Sequence, residues 1–506
     1  MILSLLLAAL AQQPGRLVVL VVVDQLRYDD VLRLSPELGP EGFAGLGTPS
    51  PLRYDTAVTE TAADHAVLST GAYADLNGVV GNRFWRDGAL REAVEDAACP
   101  VWGKRPGRSA AALLVPTVGD AYKLNRDGAG RVVSIAVKDR SALFLGGTSA
   151  DIAVWWETKT GEMSSSSCYA PSPPDWVPGR AGEPYKDWVW SMSHPEAIAR
   201  LTPEPSVPGA QPNDGIGNVF PHRLGQGSLD ERLFHAIRMG PPGTTIALRT
   251  ARNAAAALKL GELPGKTDLL LVALSAVDGV GHQFGTLARE RLDAILRIHD
   301  ELGAFLGELR SRLGPRLSVV LTADHGLTPM ATDARRLRVG LGGTIDVDEV
   351  LARVGRALDE VAGPRPGGWV AGIQGSVLSL KPPVPQKALD AAVEVLRREP
   401  GFWRVVTAAD VDRAEPFIRH AWYPGRSGQV LLVPRPLWTL KKRDDGAEHG
   451  SPWNDDALVP LMLRAPGARL RKEPIFRATQ VAPTVAELLG TAPPAAAFDV
   501  SAIEQQ

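Results

Sequence analysis

The stretch Leu17-Val18-Val19-Leu20-Val21-Val22-Val23-Asp24 decides the fold: an unbroken apolar run, rich in β-branched residues, that stops on an acid. A strand with one face in water alternates apolar and polar residues. A run without alternation suits a strand buried on both faces, as in a parallel sheet covered by helices. Working outward, the pattern recurs at 269–278 and 317–324, which end on Asp278 and Asp324. Ligands of open α/β sheets bind outside the carboxyl ends of the strands, where Asp24, Asp278 and Asp324 are expected to converge. A further run at 132–137 leads into Lys138-Asp139-Arg140, which puts a basic pair at a similar strand exit.

Between these runs the spacing of Leu292, Ile295, Leu296, Leu302, Phe305, Leu306 and Leu309 predicts a covering helix over 288–313. Pro- and Gly-rich stretches at 171–184, 203–212, 364–368 and 382–385 mark loops or lobe edges, and there is no internal repeat. The expected layout is an α/β fold with a mostly parallel central sheet flanked by helices. Its catalytic core would span 12–345, with a Pro-rich insertion at about 165–225. An inserted α+β lobe would follow at 346–411, around the apolar stretch 370–380, and 412–506 would return to the core.

A chain of 506 residues exceeds the size at which one hydrophobic core keeps growing, which agrees with a large domain carrying insertions. Its 44% hydrophobic and 22% charged content is that of a globular protein. A net charge of −2 gives no bulk electrostatic reason for a nucleic-acid partner or an anionic membrane surface, so an anionic substrate must be drawn by local charge. The first residues, an apolar run closed by Ala8-Ala9-Leu10-Ala11, read as a signal peptide over 1–11, and hence a periplasmic or secreted protein. The run is too short to span a bilayer. Cys99 and Cys168 are the only cysteines, and pairing and two free thiols are both open.

The chemistry-bearing residues are Asp24, Asp278, His282, Asp324, His325 and His449. Nitrogen and carboxylate ligands without thiolates suit zinc, and a mixed set this large suits two ions. Asp278-Gly279-Val280-Gly281-His282 reads as a glycine-softened loop that brings both side chains onto one ion. Each histidine alone reads as a hydrogen-bonded or surface imidazole. It is their coincidence with strand-end acids that favours a metal site. Thr61-Ala62-Ala63-Asp64 reads as a helix start with Thr61 as N-cap and a capping-box-like Asp64. The same helix N-terminus would also hold a phosphoryl group, and a cation would activate the Thr61 hydroxyl as nucleophile. Asn82 can donate an amide N–H to a phosphoryl oxygen or simply make a turn. Lys138 and Arg140, alternating along an extended segment, would face one side and stabilise the extra charge of a monoester.

Taken in order, Val23-Asp24-Gln25-Leu26-Arg27, the Thr61-to-His65 block, Gly81-Asn82, Lys138-Asp139-Arg140, Asp278 to His282, Asp324-His325-Gly326 and His449-Gly450-Ser451-Pro452 resemble the alkaline phosphatase superfamily. Within it, they are most similar to the phosphate-irrepressible enzymes that use threonine. The resemblance implies an alkaline-phosphatase-like fold with two Zn2+, one held by Asp278, His282 and His449, the other by Asp24, Asp324, His325 and the Thr61 hydroxyl. It also implies a phosphothreonine intermediate whose phosphoryl oxygens meet Asn82, Lys138 and Arg140, with small-molecule phosphate monoesters as substrates. Related nucleotide pyrophosphatases and phosphodiesterases share the metal set but typically lack the Lys-x-Arg pair, which tips the reading to monoesters. The competing expectations are a diester-cleaving enzyme of that kind, and a catalytically silent zinc-stabilised binding protein on the same fold.

Overall fold

The computed structural model describes residues 14–505 apart from 87–88, 103–105, 126–129, 203, 339, 341 and 442–445. The signal-like segment 1–11 lies outside the described residues. The apolar runs form the middle of a nine-stranded sheet. Leu317–Thr322, Arg16–Val23, Thr267–Leu274, Val132–Ala136 and Ile152–Glu157 lie side by side and parallel. Leu458–Arg464 joins antiparallel beside Leu317–Thr322, with Ser50–Arg53 and Phe476–Arg477 beyond it at that edge, and Glu162–Ser164 joins antiparallel at the other edge. Residues 17–23 and 267–274 are buried throughout, as a two-sided apolar run demands.

Register fixes where the strands end. Val21 stands opposite Val272 on one side and Leu321 on the other, so the three runs leave the sheet nearly level with one another. Helices Pro241–Ala257 and Arg289–Leu313 pack together over the sheet, and Thr61–Thr70, Asp139–Gly146 and Val481–Leu489 form a second group against it. The helix expected over 288–313 begins one residue later, with Ala288 as its extended N-cap, and all of its named apolar residues are buried.

The inserted lobe has its own core and a four-stranded sheet in the order Val370–Gln374, Val377–Leu380, Val430–Pro434, Phe402–Thr407. Helices Val347–Ala362 and Gln386–Arg397 cover it. The lobe does not stop at 411. Val430–Pro434 is buried between two lobe strands, and Trp438–Lys441 pairs with Gly343–Asp346, so the packed unit runs on to Lys441. The loop-rich stretch 165–225 is tied to the main core by buried Trp190, Ile198 and Leu224.

Cys99 and Cys168 form a disulfide, Cα atoms 5.3 Å apart, that closes 69 residues of chain. Loop-closure entropy for that length is worth about 4 kcal/mol. The Cys99→Ser/Cys168→Ser double variant is therefore expected to lose several degrees of Tm, read by calorimetry against wild type; an unchanged Tm would contradict this.

Candidate active site

Four neighbouring parallel strands deliver Asp324, Asp24, Asp278 and Lys138, in that spatial order, to one edge of the sheet. Asp278 and His282 are not on a loop. They lie in the helix Ala276–Phe284, where the i, i+4 spacing puts both on one face, with His282 Nε2 3.2 Å from Asp278 Oδ1. His449, in the loop before Leu458–Arg464, brings its Nε2 to 3.7 Å from the same oxygen. His325 Nε2 lies 3.4 Å from Asp324 Oδ2 and 3.6 Å from Asp24 Oδ1. Asp278, His282 and His449 could thus hold one cation. The second compact group is Asp24, Asp278 and His325, with Asp324 adjoining it through His325.

The donor set fits cations. Nδ1 of His282 lies 2.9 Å from the Ala447 carbonyl, that of His325 3.0 Å from Gly326, and that of His449 2.7 Å from Thr59. An N–H at each Nδ1 donates to its carbonyl and leaves the Nε2 lone pair for a metal. His325 Nε2, Asp24 Oδ1 and Asp324 Oδ2 are buried without a hydrogen-bond partner, which is costly unless something bonds to them. Burial, then the charges of Asp278 and Asp324, push the Asp24 carboxyl well above its usual range. Burial likewise pushes His449 down to about 3, helped by His325 and His282, so it stays a neutral ligand at neutral pH. Burial alone would raise Asp278, but Lys138, His282 and His449 together hold it well below the usual range.

Thr61 is not the N-cap. Glu60 takes that position with extended backbone, φ −132° and ψ 146°, and Thr61 is the first residue of the helix. Its hydroxyl is therefore free of capping, and Lys138 Nζ donates to Oγ1 at 3.2 Å. The same ammonium sits 2.6 Å from both Asp24 Oδ2 and Asp278 Oδ2. Lys138 and Arg140 do not alternate on a strand either. Lys138 caps the helix Asp139–Gly146 and Arg140 lies in its first turn, because the chain bends into the helix at Asp139. The two still face one cavity. Asn82 accepts from the Ala62 N–H at 3.0 Å through Oδ1, which leaves the NH2 end of its amide for a ligand.

That cavity has a volume of about 460 Å3, within the range of sites that take small organic ligands. Thr61, Asn82, Lys138, Arg140, His282 and His449 line one side, and the lobe closes the other through Gln374, Ser376 and Trp438. Gly375 lets the lobe approach: at φ +52°, a Cβ there would fall 1.6 Å from Glu60 Oε1. Asp24, Asp324 and His325 sit deeper and are wholly buried.

Several neighbours escaped the sequence reading. Glu448 pairs with His282 Nδ1 at 3.2 Å, and Glu60 accepts from the Asn82 N–H at 2.7 Å. Gln25 contacts two of the acids. Each stands beside a residue that was singled out, and adjacency to His449, Thr61 and Asp24 was the available signal.

An α/β sheet that gathers buried acids and imidazoles at its carboxyl edge, beside a cavity lined by Thr61, Lys138 and Arg140, has the donor set of a metal site next to an anion-binding pocket. The sequence profile described as type I phosphodiesterase / nucleotide pyrophosphatase matches residues 18–454. The chain belongs to this family, within the alkaline phosphatase superfamily. It is 28% identical over 522 residues to the alkaline phosphatase PhoK of a Sphingomonas species, covering 95% of this chain and 89% of that one. It is also 28% identical over 518 residues to a Myroides odoratus protein named calcium-transporting ATPase, covering 96% and 93%. Among solved structures, the wild-type alkaline phosphatase PafA superposes with a TM-score of 0.87 at 22% identity, over 97% of this chain and 98% of that chain. A murine ectonucleotide pyrophosphatase / phosphodiesterase superposes more loosely, at 0.53 and 13% identity, over 96% and 97%.

Proposed function

We propose that the chain is a zinc-dependent alkaline phosphatase that hydrolyses small phosphate monoesters through a covalent phosphothreonine at Thr61. The observation that carries this reading is the Thr61 hydroxyl, uncommitted to capping, 3.2 Å from Lys138 Nζ, in the cavity that Asn82, Arg140, His282 and His449 also line. The named relatives, several of them alkaline phosphatases, support it. One solved PafA variant carries replacements of a threonine, an asparagine, a lysine and an arginine, the residue types grouped here at Thr61, Asn82, Lys138 and Arg140.

Asp278, His282 and His449 would hold one cation, and Asp24, Asp324 and His325 the other. Bound there, two zinc ions would lower the proton affinity of the Thr61 hydroxyl and neutralise charge on the leaving oxygen. Thr61 Oγ1 attacks phosphorus in line, the bond to the leaving alcohol breaks, and the phosphoryl group rests on Thr61. Water then attacks the phosphothreonine from the vacated side and frees phosphate and the hydroxyl. Asn82 and Arg140 orient the phosphoryl oxygens, and the Lys138 ammonium offsets their charge. Export to the periplasm or medium is part of the proposal. Among the described residues, no helix is long and apolar enough to cross a membrane.

Steady-state rates on a monoester and diester panel, with metal content quantified before and after chelation, test this reading. Monoester turnover is expected to exceed diester turnover, to vanish as about two zinc ions per chain are removed, and to return on adding zinc. Diester preference would favour the phosphodiesterase reading instead, and full activity without metal would end both.

A further inference from the structure

Gln25 follows Asp24 with a left-handed backbone, φ 68°, a region that residues other than glycine rarely adopt. Such a conformation persists where surrounding bonds dictate it, and often where function needs it. Here the bonds reach both candidate cation groups. The Gln25 backbone N–H donates to Asp324 Oδ1 at 3.1 Å, and its side-chain Nε2 donates to Asp278 Oδ1 at 3.2 Å. Asp278 Oδ1 is the oxygen that faces His282 and His449. The Gln25 carbonyl is held in turn by Arg291 Nη2 at 2.9 Å, and that buried guanidinium pairs with Asp30 at 2.7 Å. Room for the amide comes from Gly281, where a Cβ would fall 1.8 Å from Gln25 Oε1.

We propose that Gln25 is a positioning residue that fixes the orientation of Asp278 and Asp324 and thereby the spacing of the two cation sites; this rests on the two-zinc reading above. Its left-handed backbone aims the N–H at one acid while the side chain reaches the other, so a single residue spans both groups. Bonds of this kind to a ligating carboxylate set its rotation and basicity.

Two variants test it. In Gln25→Asn the residue still tolerates the left-handed backbone and keeps the N–H to Asp324, but the shorter amide falls short of Asp278. In Gly281→Ala the glutamine is retained while the new Cβ takes the space its amide needs. Zinc affinity is measured by competition with a chromogenic chelator, coordination by the absorption spectrum of the cobalt(II)-substituted protein, and turnover by kcat and KM. Both variants are expected to bind one zinc about 10–100-fold more weakly, with an altered cobalt spectrum and a lower kcat at near-constant KM. Wild-type affinity and spectrum in a folded form of either variant would overturn the proposal. Wild-type protein that binds fewer than two zinc ions would instead defeat the underlying two-zinc reading.

Discussion

Thr61→Ala is expected to lower kcat on phosphate monoesters by roughly 10^4-fold or more while both zinc ions stay bound, since it removes the attacking atom and leaves the acids and imidazoles in place. The helix start should survive. Glu60, not Thr61, is its cap, and the Asp64 N–H to Glu60 carbonyl bond of 2.9 Å does not involve the hydroxyl. Thr61→Ser keeps a nucleophilic oxygen and should retain far more activity than alanine. Rates measured beside metal content separate this from simple unfolding. A metal-replete Thr61→Ala protein with near-wild-type turnover would exclude the covalent route. If neither wild type nor Thr61→Ala turned over phosphate esters and the protein's biological role persisted in the variant, the silent binding protein on the same fold would be the better account.

The second large effect is a difference between substrates. Removing Arg140 or Lys138 should cost about 10^2–10^3-fold in kcat/KM on a monoester, the usual loss when one donor to a developing charge is deleted. On a diester the loss should be smaller, because a diester lacks one of the charged oxygens these cations serve. Lys138→Ala also carries a structural effect that Arg140→Ala does not. The Lys138 ammonium lies 2.6 Å from both Asp24 and Asp278, so its loss leaves those buried acids less compensated and should loosen the metal-free protein. Arg140→Ala is therefore the cleaner test. Equal losses on monoester and diester in that variant would count against the monoesterase assignment.

The sheet was legible because its central strands are coded by continuous apolar runs, and because a strand's last residue marks its exit. Asp24 and Asp324 follow from that rule directly. Asp278 follows only in part: its strand ends at Leu274, and the acid arrives one turn into a helix. Gly279 and Gly281 made that segment look like a loop, since glycine weakens helices. Their role is close approach. A Cβ at 279 would meet the Met239 backbone at 2.6 Å, and one at 281 would strike Gln25. The cap was misplaced by one residue because Glu60 holds the extended conformation without a side-chain capping bond, so no local signature marked it. The lobe's extent was hidden for a different reason. Val430–Pro434 is an apolar strand like those of the main sheet, and only its partners, far away in sequence, reveal which sheet it joins.

The proposed reaction needs two cations at the carboxyl edge of the sheet, flanking the Thr61 oxygen. Anomalous diffraction at the zinc absorption edge from crystals of the metal-replete protein tests it most directly. Two zinc peaks are expected, one coordinated by Asp278, His282 and His449, the other by Asp24, Asp324 and His325, both within reach of Thr61 Oγ1. A single peak, or peaks away from these residues, would contradict it.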